Sequence, residues 1–336
     1  MGTYKKVQFV KDLNIGDQVD TMLVVLGKSL HQYSAPKRAG EKYLRILLSD
    51  KSGTMTGVLW DQAQEASQTF DKGDVVHVTG HITDYRGPQI TVESLVKANP
   101  KNIDPAYFQK VVKKSRREMV NKLKAHIKTH VNDPYLYRLL QEFWEDREFY
   151  TQYIQAPGGK LIHHNYVGGL LEHSLEVVDI CIKLLQLYPE HINSSLLVSG
   201  AILHDIGKIN EYDINSISFQ YTDRGKLIGH ITMGRDMVME RANRFKHFPE
   251  DMKLELEHMI LSHHGKKEWG SPEIPRTMNA FALFYADLVS ARMNQFSGVI
   301  QESLTNNQKW SDWNRFLERD IFIPEYLFEQ EQTSEE

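Results

Sequence analysis

The feature that most constrains this chain is a change of period at Asn99-Pro100. Before it, apolar residues alternate, as in Val19 to Leu26, Tyr43 to Leu48, Thr54 to Trp60, Val75 to Ile82 and Gln89 to Val96. Period two sends successive side chains to opposite faces of a strand. After it, apolar residues recur every three or four positions, the spacing of helices with one buried face. Helices are expected over Asp104 to Thr129, Pro134 to Phe149, Gly168 to Leu187, Ser194 to His204, Ile228 to Phe245, Lys253 to His264, Arg276 to Phe296 and Trp310 to Arg319. A chain of 336 residues, 41% of them hydrophobic, is long enough for two units, and disorder is excluded. The expected fold class is multidomain β plus all-α.

In the first hundred residues, Asp50-Lys51-Ser52-Gly53 predicts a hairpin between the second and third strands. Asp71-Lys72-Gly73-Asp74 precedes the fourth, and Arg86-Gly87-Pro88 turns the fourth into the fifth. A short helical candidate spans Asp61 to Phe70. Five strands with a helix between the third and fourth match a five-stranded OB-like barrel, although other small barrels share the strand count. Such a barrel binds single strands through cationic side chains and stacking aromatics on its second and third strands and adjoining loops. The candidates are Tyr43, Arg45 and Trp60 on the strands, Lys37 and Arg38 in the loop before them, and Tyr85 and Arg86 in the last loop. Tyr43 and Arg45 have the parity opposite to Leu44, Ile46 and Leu48, so they face outward if those three fill the barrel. Trp60, at a strand end, reads equally as a stacking platform or as core.

Charge divides the chain further. Residues 1–100 carry a net +1, residues 101–130 carry +7 and residues 131–336 carry −12, for a total of −4. The whole molecule is therefore no polycation, and any nucleic-acid site is local. The basic run (Lys110, Lys113, Lys114, Arg116, Arg117, Lys122, Lys124, Lys128) reads either as polyanion contact or as a solvated helix face. The expected organisation is a barrel over 1–98, a basic helical connector over 99–150, a catalytic helical domain over 151–320 and an acidic C-terminal tail over 321–336. The single cysteine, Cys181, excludes structural disulfides and cysteine zinc sites and fits a reducing cytoplasm. No apolar stretch reads as a signal segment or membrane span, so no membrane role is expected.

Chemistry is concentrated among the histidines of the helical region. One histidine on an apolar helix face would read as a hydrogen-bonded core residue, but here the placements accumulate. His173 shares a helix face with Leu170 and Val177. Leu203-His204-Asp205-Ile206-Gly207-Lys208 sets an imidazole and a carboxylate side by side after an apolar helix and before a glycine at its end. The two oxygens of Asp205 suffice to bridge a pair of ions. Asp287 is a carboxylate on an otherwise apolar helix, where an unpaired charge is costly, so its expected partners are cations.

The order His, His-Asp, Asp resembles the HD superfamily of metal-dependent phosphohydrolases. The resemblance implies a first divalent ion held by His173, His204, Asp205 and Asp287. The binuclear branch of that superfamily adds histidines for a second ion, and this sequence offers His230 and the pair His263-His264. Imidazole with carboxylate favours Mn²⁺, with Fe²⁺, Co²⁺ or Zn²⁺ as alternatives, in one or two ions. Water on such an ion loses its proton near neutral pH, and paired ions stabilise both the attacking and the leaving oxygen of a phosphodiester. Lys208, four residues after His204, can present an ammonium to phosphate oxygens. His163 and His164 precede the Gly168-Gly169 turn, where they could donate to phosphate or position the leaving group, and Arg224 or Lys226 could hold the substrate strand. The catalytic candidates are thus Lys208, Asp205 and His164.

The combination of an OB-like barrel with Tyr166-Val167-Gly168-Gly169-Leu170-Leu171-Glu172-His173 and His204-Asp205-Ile206-Gly207-Lys208 resembles the YhaM-type 3′-to-5′ exoribonucleases over nearly the whole chain. Leu48-Ser49-Asp50-Lys51-Ser52-Gly53-Thr54-Met55 and Gly57-Val58-Leu59-Trp60 resemble OB folds of the tRNA-anticodon-binding kind. The resemblance implies a Mn²⁺-dependent enzyme that trims single-stranded RNA, and also DNA, from the 3′ end. Three alternatives stand beside it. A cyclic dinucleotide phosphodiesterase shares the His-Asp-Ile-Gly-Lys string, but Gly265-Lys266-Lys267 after His264 lacks the Gly-Tyr-Pro loop of that branch. An HD nucleotide triphosphohydrolase has no need of a barrel. A nucleic-acid-binding replication factor with a decayed site should have lost one of the four ligands. Assembly into a homo-oligomer is left open, with Trp310, Trp313 and Phe316 read as docking the last helix.

Overall fold

The computed structural model describes residues 6–33, 40–85, 87–99, 104, 107–109, 111–112, 114–159, 164–214 and 219–334, with 331–334 as backbone alone. It divides into two compact units, one made of segments 1–111 and 213–220 and the other of 112–212 and 221–336.

The first unit is a closed barrel of β1 (Gln18–Gln32), β2 (Lys42–Asp50), β3 (Gly53–Leu59), β4 (Val75–Asp84) and β5 (Pro88–Lys97). The order around it is β1-β2-β3-β5-β4, closed by β4 on β1, with β3 and β5 parallel. Alternation places Leu44, Ile46 and Leu48 in the core beside Leu23, Val76, Val78 and Ile90, and leaves Arg45 exposed. The hairpin at Asp50 pairs that residue with Gly53, as the turn residues predict. The expected helix after β3 shrinks to α1 (Ala63–Ala66). The Ser67 and Thr69 hydroxyls donate to the Gln64 and Ala66 carbonyls there, a local bonding that competes with helix continuation. Strand β1 runs six residues beyond Leu26, because a bulge between Val25 and Gly27 shifts the register and carries the strand on through Gln32.

The second unit is helical. α2 (Arg116–His130), α3 (Pro134–Glu145) and α4 (Arg147–Tyr153) precede α5 (Gly169–Leu187) and α6 (Ser194–Leu203). Short α7 (Lys208–Glu211) and α8 (Asp223–Leu227) lead to α9 (His230–Ala242), α10 (Glu250–Ser262), the long α11 (Met278–Thr305) and α12 (Glu325–Ser334). α6 is buried from Ser195 to Leu203, as expected of a helix apolar on every side, and α5, α10 and α11 pack around it.

Four sequence expectations are corrected. Residues 99–150 are no separate connector: from Val112 onward they belong to the helical unit, where Leu123, Leu136, Leu139, Leu140 and Phe143 are buried. The single helix expected from Pro134 to Phe149 is two, since Asp146 caps a new start by accepting from the backbone N–H groups of Glu148 and Phe149. No helix forms over 310–319. The Asn314 side chain there accepts from the Phe316 and Leu317 N–H groups, and Trp310 pairs with Phe322 across an antiparallel bridge. Nor is 321–336 wholly a tail: Ile321 and Ile323 are buried with Leu317 and pack on Leu327 and Phe328 of α12, while Trp310 and Trp313 stay exposed.

Candidate metal centre

Five helices deliver their side chains to one place. His173 comes from the second turn of α5 and is fully buried. His204 caps the C-terminus of α6, and Asp205 follows in the turn to α7. His230 opens α9, His263 and His264 close α10, and Asp287 projects from α11. The glycine of the His-Asp-Ile-Gly-Lys string has a local reason. A Cβ at Gly207 would lie 2.0 Å from the His230 carbonyl oxygen, so only glycine lets α9 bring His230 this close. Likewise a Cβ at Gly169 would lie 2.0 Å from the His164 carbonyl oxygen.

The donor atoms form two groups. His173, His204 and Asp287 offer ligand atoms within 4.8 Å of one another, and His230, His263 and His264 do the same. Asp205 stands between them. Its Oδ2 lies 3.4 Å from His173 Nε2 and 3.3 Å from His204 Nε2. Its Oδ1 lies 3.4 Å from His230 Nε2 and 3.5 Å from His263 Nε2. Asp287 Oδ1 is 3.1 Å from His173 Nε2 and 4.0 Å from His204 Nε2.

A second layer fixes the rings. The Nδ1 atoms of His204 and His263 face the carbonyls of Ala201 and Ile260 at 2.9 and 2.6 Å. His230 Nδ1 faces Glu211 Oε1 at 2.9 Å, and His173 Nδ1 faces Ser290 Oγ at 3.0 Å. With Nδ1–H donating outward, the His204, His230 and His263 Nε2 atoms can each present a lone pair inward. His173 Nε2 and His204 Nε2 lie 3.3 Å apart, a pairing that needs a proton or a cation between them. Asp205 Oδ1, His230 Nε2 and His263 Nε2 are buried without hydrogen-bond partners among the described residues. Mixed imidazole and carboxylate donors with orphaned inward atoms fit one or two divalent ions.

Electrostatics agree with that fit. Burial would raise the Asp205 carboxyl, but the Lys208 ammonium and the His204 and His173 rings hold it well below the ordinary carboxylate range. Asp287 is held down in the same way against burial, by His173, His204 and His263. Burial depresses the His263 imidazole, and His264 is pushed down to about 3 by burial and by its neighbours His263 and His230, so both are neutral at pH 7. His173 moves the other way: burial opposes its charge, yet Asp205 and Asp287 bring it up to about 9.

Lys208 is buried, not a solvated surface lysine, and donates 2.6 Å to Asp205 Oδ2 and 2.5 Å to the Gly158 carbonyl. His164 is also buried and sits behind the ligands, 3.2 Å from Glu176 Oε2, away from the cavity that the ligands line. His163 lies outside the described residues. Arg224 and Lys226 are exposed on α8 and do not line the cavity. Three residues of the second layer escaped the sequence reading. Glu211 and Ser290 give no local signal, whereas Glu176, one turn after His173 on a mostly apolar helix, could have been found as an out-of-place carboxylate. The basic run is partly neutralised: Lys114 lies 2.8 Å from Glu172 and Lys122 2.5 Å from Asp179, both on α5.

On the barrel, His31, Tyr43 and Trp60 form a row of rings, with centroids 5.3 Å apart for the first pair and 5.1 Å for the second. Tyr33 flanks the row, 5.3 Å from Tyr43, and its hydroxyl donates to the Trp60 carbonyl. Tyr43 and Trp60 are half-buried, and Arg45 and Tyr85 are exposed. Lys37, Arg38 and Arg86 lie outside the described residues. His31 and Tyr33 belong to the strand-binding candidates as well, hidden from the sequence reading because β1 was expected to stop at Leu26.

Comparison with known proteins finds a separate family match for each unit. The HD domain family matches residues 170–292, and the OB-fold nucleic acid binding domain family matches residues 24–98. The 3′-5′ exoribonuclease YhaM of Oceanobacillus iheyensis is 32% identical over 290 residues, which is 86% of this chain and 88% of its own length. Among solved structures, the second OB-fold domain of replication protein A from Methanococcus maripaludis aligns with 29% of this chain and 95% of its own at 21% identity and a TM-score of 0.23. The HD match carries dependence on a divalent metal, and the OB match carries binding of nucleic acid. No helix among the described residues is long and apolar enough to cross a membrane.

Proposed function

The chain belongs to the YhaM family of 3′-5′ exoribonucleases, and from that membership we propose that it hydrolyses single-stranded RNA, and single-stranded DNA, inward from the 3′ end with Mn²⁺ as its metal. The observation that carries the reading is the position of Asp205, one carboxylate facing two groups of histidines, in a chain that also holds a barrel with a row of aromatic rings.

Bound ions would activate water near neutral pH and neutralise charge on the scissile phosphate. The chain's own residues do the rest. His173, His204 and Asp287 would hold one ion and His230, His263 and His264 a second, with the Asp205 carboxylate facing both groups. Lys208 balances the Asp205 charge from inside the cavity wall and lies within reach of a phosphate oxygen there. His164, through Glu176 and Ser290, orients the His173 ring in place of touching substrate. Tyr43, Trp60, His31 and Arg45 hold the strand by stacking and charge, with Tyr85 at the loop. A reducing cytoplasm suits the lone buried thiol of Cys181.

The test is digestion of a 5′-labelled single-stranded RNA with Mn²⁺, with EDTA, and with an Asp205→Ala variant. The expected result is a ladder shortening from the 3′ end in the metal-loaded wild type alone. Internal cleavage, or an intact strand in every lane, overturns the reading.

A further inference from the structure

The metal ligands open on a cavity of about 430 Å³ inside the helical unit, within the ~300–1,000 Å³ range of small-molecule sites. One stripe of α11 forms its wall. Asp287, Ala291 and Gln295 are spaced by four residues, and Leu288 and Arg292 run beside them at the same spacing, so all five face one way. From the ligand Asp287 to Gln295 the helix rises about 12 Å, enough to leave the ions well behind. The other walls are aromatic. Trp269 and Phe284 stand with ring centroids 6.3 Å apart, and Phe316 closes the Arg292 end. Arg292 is held in place, with Nη1 donating 2.5 Å to the Phe316 carbonyl and 3.1 Å to Gln295 Oε1. Its Nε and Nη2 groups have no acceptor among the described residues and remain for a ligand.

We propose that this cavity is a mononucleotide subsite, which seats one nucleoside against the aromatic walls with its phosphate at the metal end and its polar edge at Arg292 and Gln295. The chemistry of the lining supports each part. Ionic groups at one end suit a phosphate, flat rings suit a base, and a preorganised guanidinium beside an amide suits base carbonyls or ribose hydroxyls. The volume suits one nucleotide. Assigning that nucleotide as the 3′-terminal one rests on the exonuclease reading above; the subsite itself does not.

Ala291 provides the test, since it lines the cavity one turn from Asp287 and is not itself a ligand. Binding of adenosine 5′-monophosphate and of inorganic phosphate would be measured by calorimetry on the Mn²⁺-loaded full chain, with Ala291→Leu and, at the far end, Gln295→Phe. Metal content and thermal unfolding serve as checks on the frame. The expected result is at least a ten-fold loss of affinity for the nucleotide in both variants, with phosphate affinity and metal content unchanged. Wild-type protein that fails to bind the nucleotide at millimolar concentration overturns the proposal. So do variants that bind it as tightly as wild type, or that both lose the metal. Nucleotide binding without a 3′ ladder on RNA leaves the subsite standing and removes the exonuclease reading, and a ladder without nucleotide binding does the reverse.

Discussion

Asp205 Oδ1 lies 3.4 Å from His230 Nε2, and neither atom has a hydrogen-bond partner among the described residues. The other oxygen of the same carboxylate is taken by Lys208 and lies beside His173 and His204. One side chain therefore joins two ligand groups. Asp205→Asn preserves the shape but turns one oxygen into an N–H₂ that cannot ligate. The variant is expected to lose at least one equivalent of metal and to cleave RNA more than about 100-fold slower, beyond the 10- to 100-fold cost typical of outer-layer partners. Metal analysis beside the RNA digestion checks this, with retention of both ions as the contrary outcome.

Removing the metal should destabilise the helical unit. Without it, Asp205 Oδ1, His230 Nε2 and His263 Nε2 stay buried with no partner among the described residues. A ligand present at 100 times its dissociation constant stabilises by about 2.7 kcal/mol, which in a unit of this size corresponds to roughly 5–10 °C. EDTA should lower the melting temperature by that amount and added Mn²⁺ should restore it. An unchanged melting curve would mean that the cluster holds no tightly bound ion.

The ligands were legible in the sequence because each is a residue type out of place on an apolar helix. His173 between Leu170 and Val177, and Asp287 between Ala286 and Leu288, have no packing reason to be there. What was hidden depends on tertiary contacts. Glu211 and Ser290 are ordinary residues until folding sets them against His230 and His173. His31 and Tyr33 were lost because a bulge between Val25 and Gly27 breaks the alternation that marks β1. Trp310, Trp313 and Phe316 mimic a helical stripe by their spacing, but the Asn314 side chain and the Trp310 pairing with Phe322 bend the segment instead. The basic run stood out by charge, while the buried Leu123 and Ile127 that bind the same helix into the fold carry no such mark.

Glu176 reaches His173 through Ser290, whose hydroxyl donates 2.9 Å to the carboxylate and faces the His173 ring at 3.0 Å. Ser290→Ala and Glu176→Gln should each weaken metal affinity about 10- to 100-fold without removing a ligand. Burial opposes the Glu176 charge, but His164, Ser290 and Lys114 bring the carboxyl down to about 2 from its usual 4.5. A lowered folded-state value means that this stabilisation is complete above pH 4.5 and is lost as the pH falls toward about 2. The difference in melting temperature between metal-free wild type and Glu176→Gln should shrink over that window. A difference independent of pH would assign the effect of the variant to packing.

The barrel row separates strand capture from cleavage. Tyr43 stacks between His31 and Trp60, with partly exposed rings from β1, β2 and the end of β3, so consecutive bases of a single strand can lie along them. Each base–aromatic contact contributes about 1–3 kcal/mol and tolerates any base, because every base has a flat face. Tyr43→Ala and Trp60→Ala should each weaken binding of a long single strand by an amount in that range. Metal content and cleavage of a dinucleotide should be unchanged, since a dinucleotide offers the barrel row no run of consecutive bases beyond those at the metal centre. Equal losses on long and short substrates would mean that these rings support the barrel and hold no RNA.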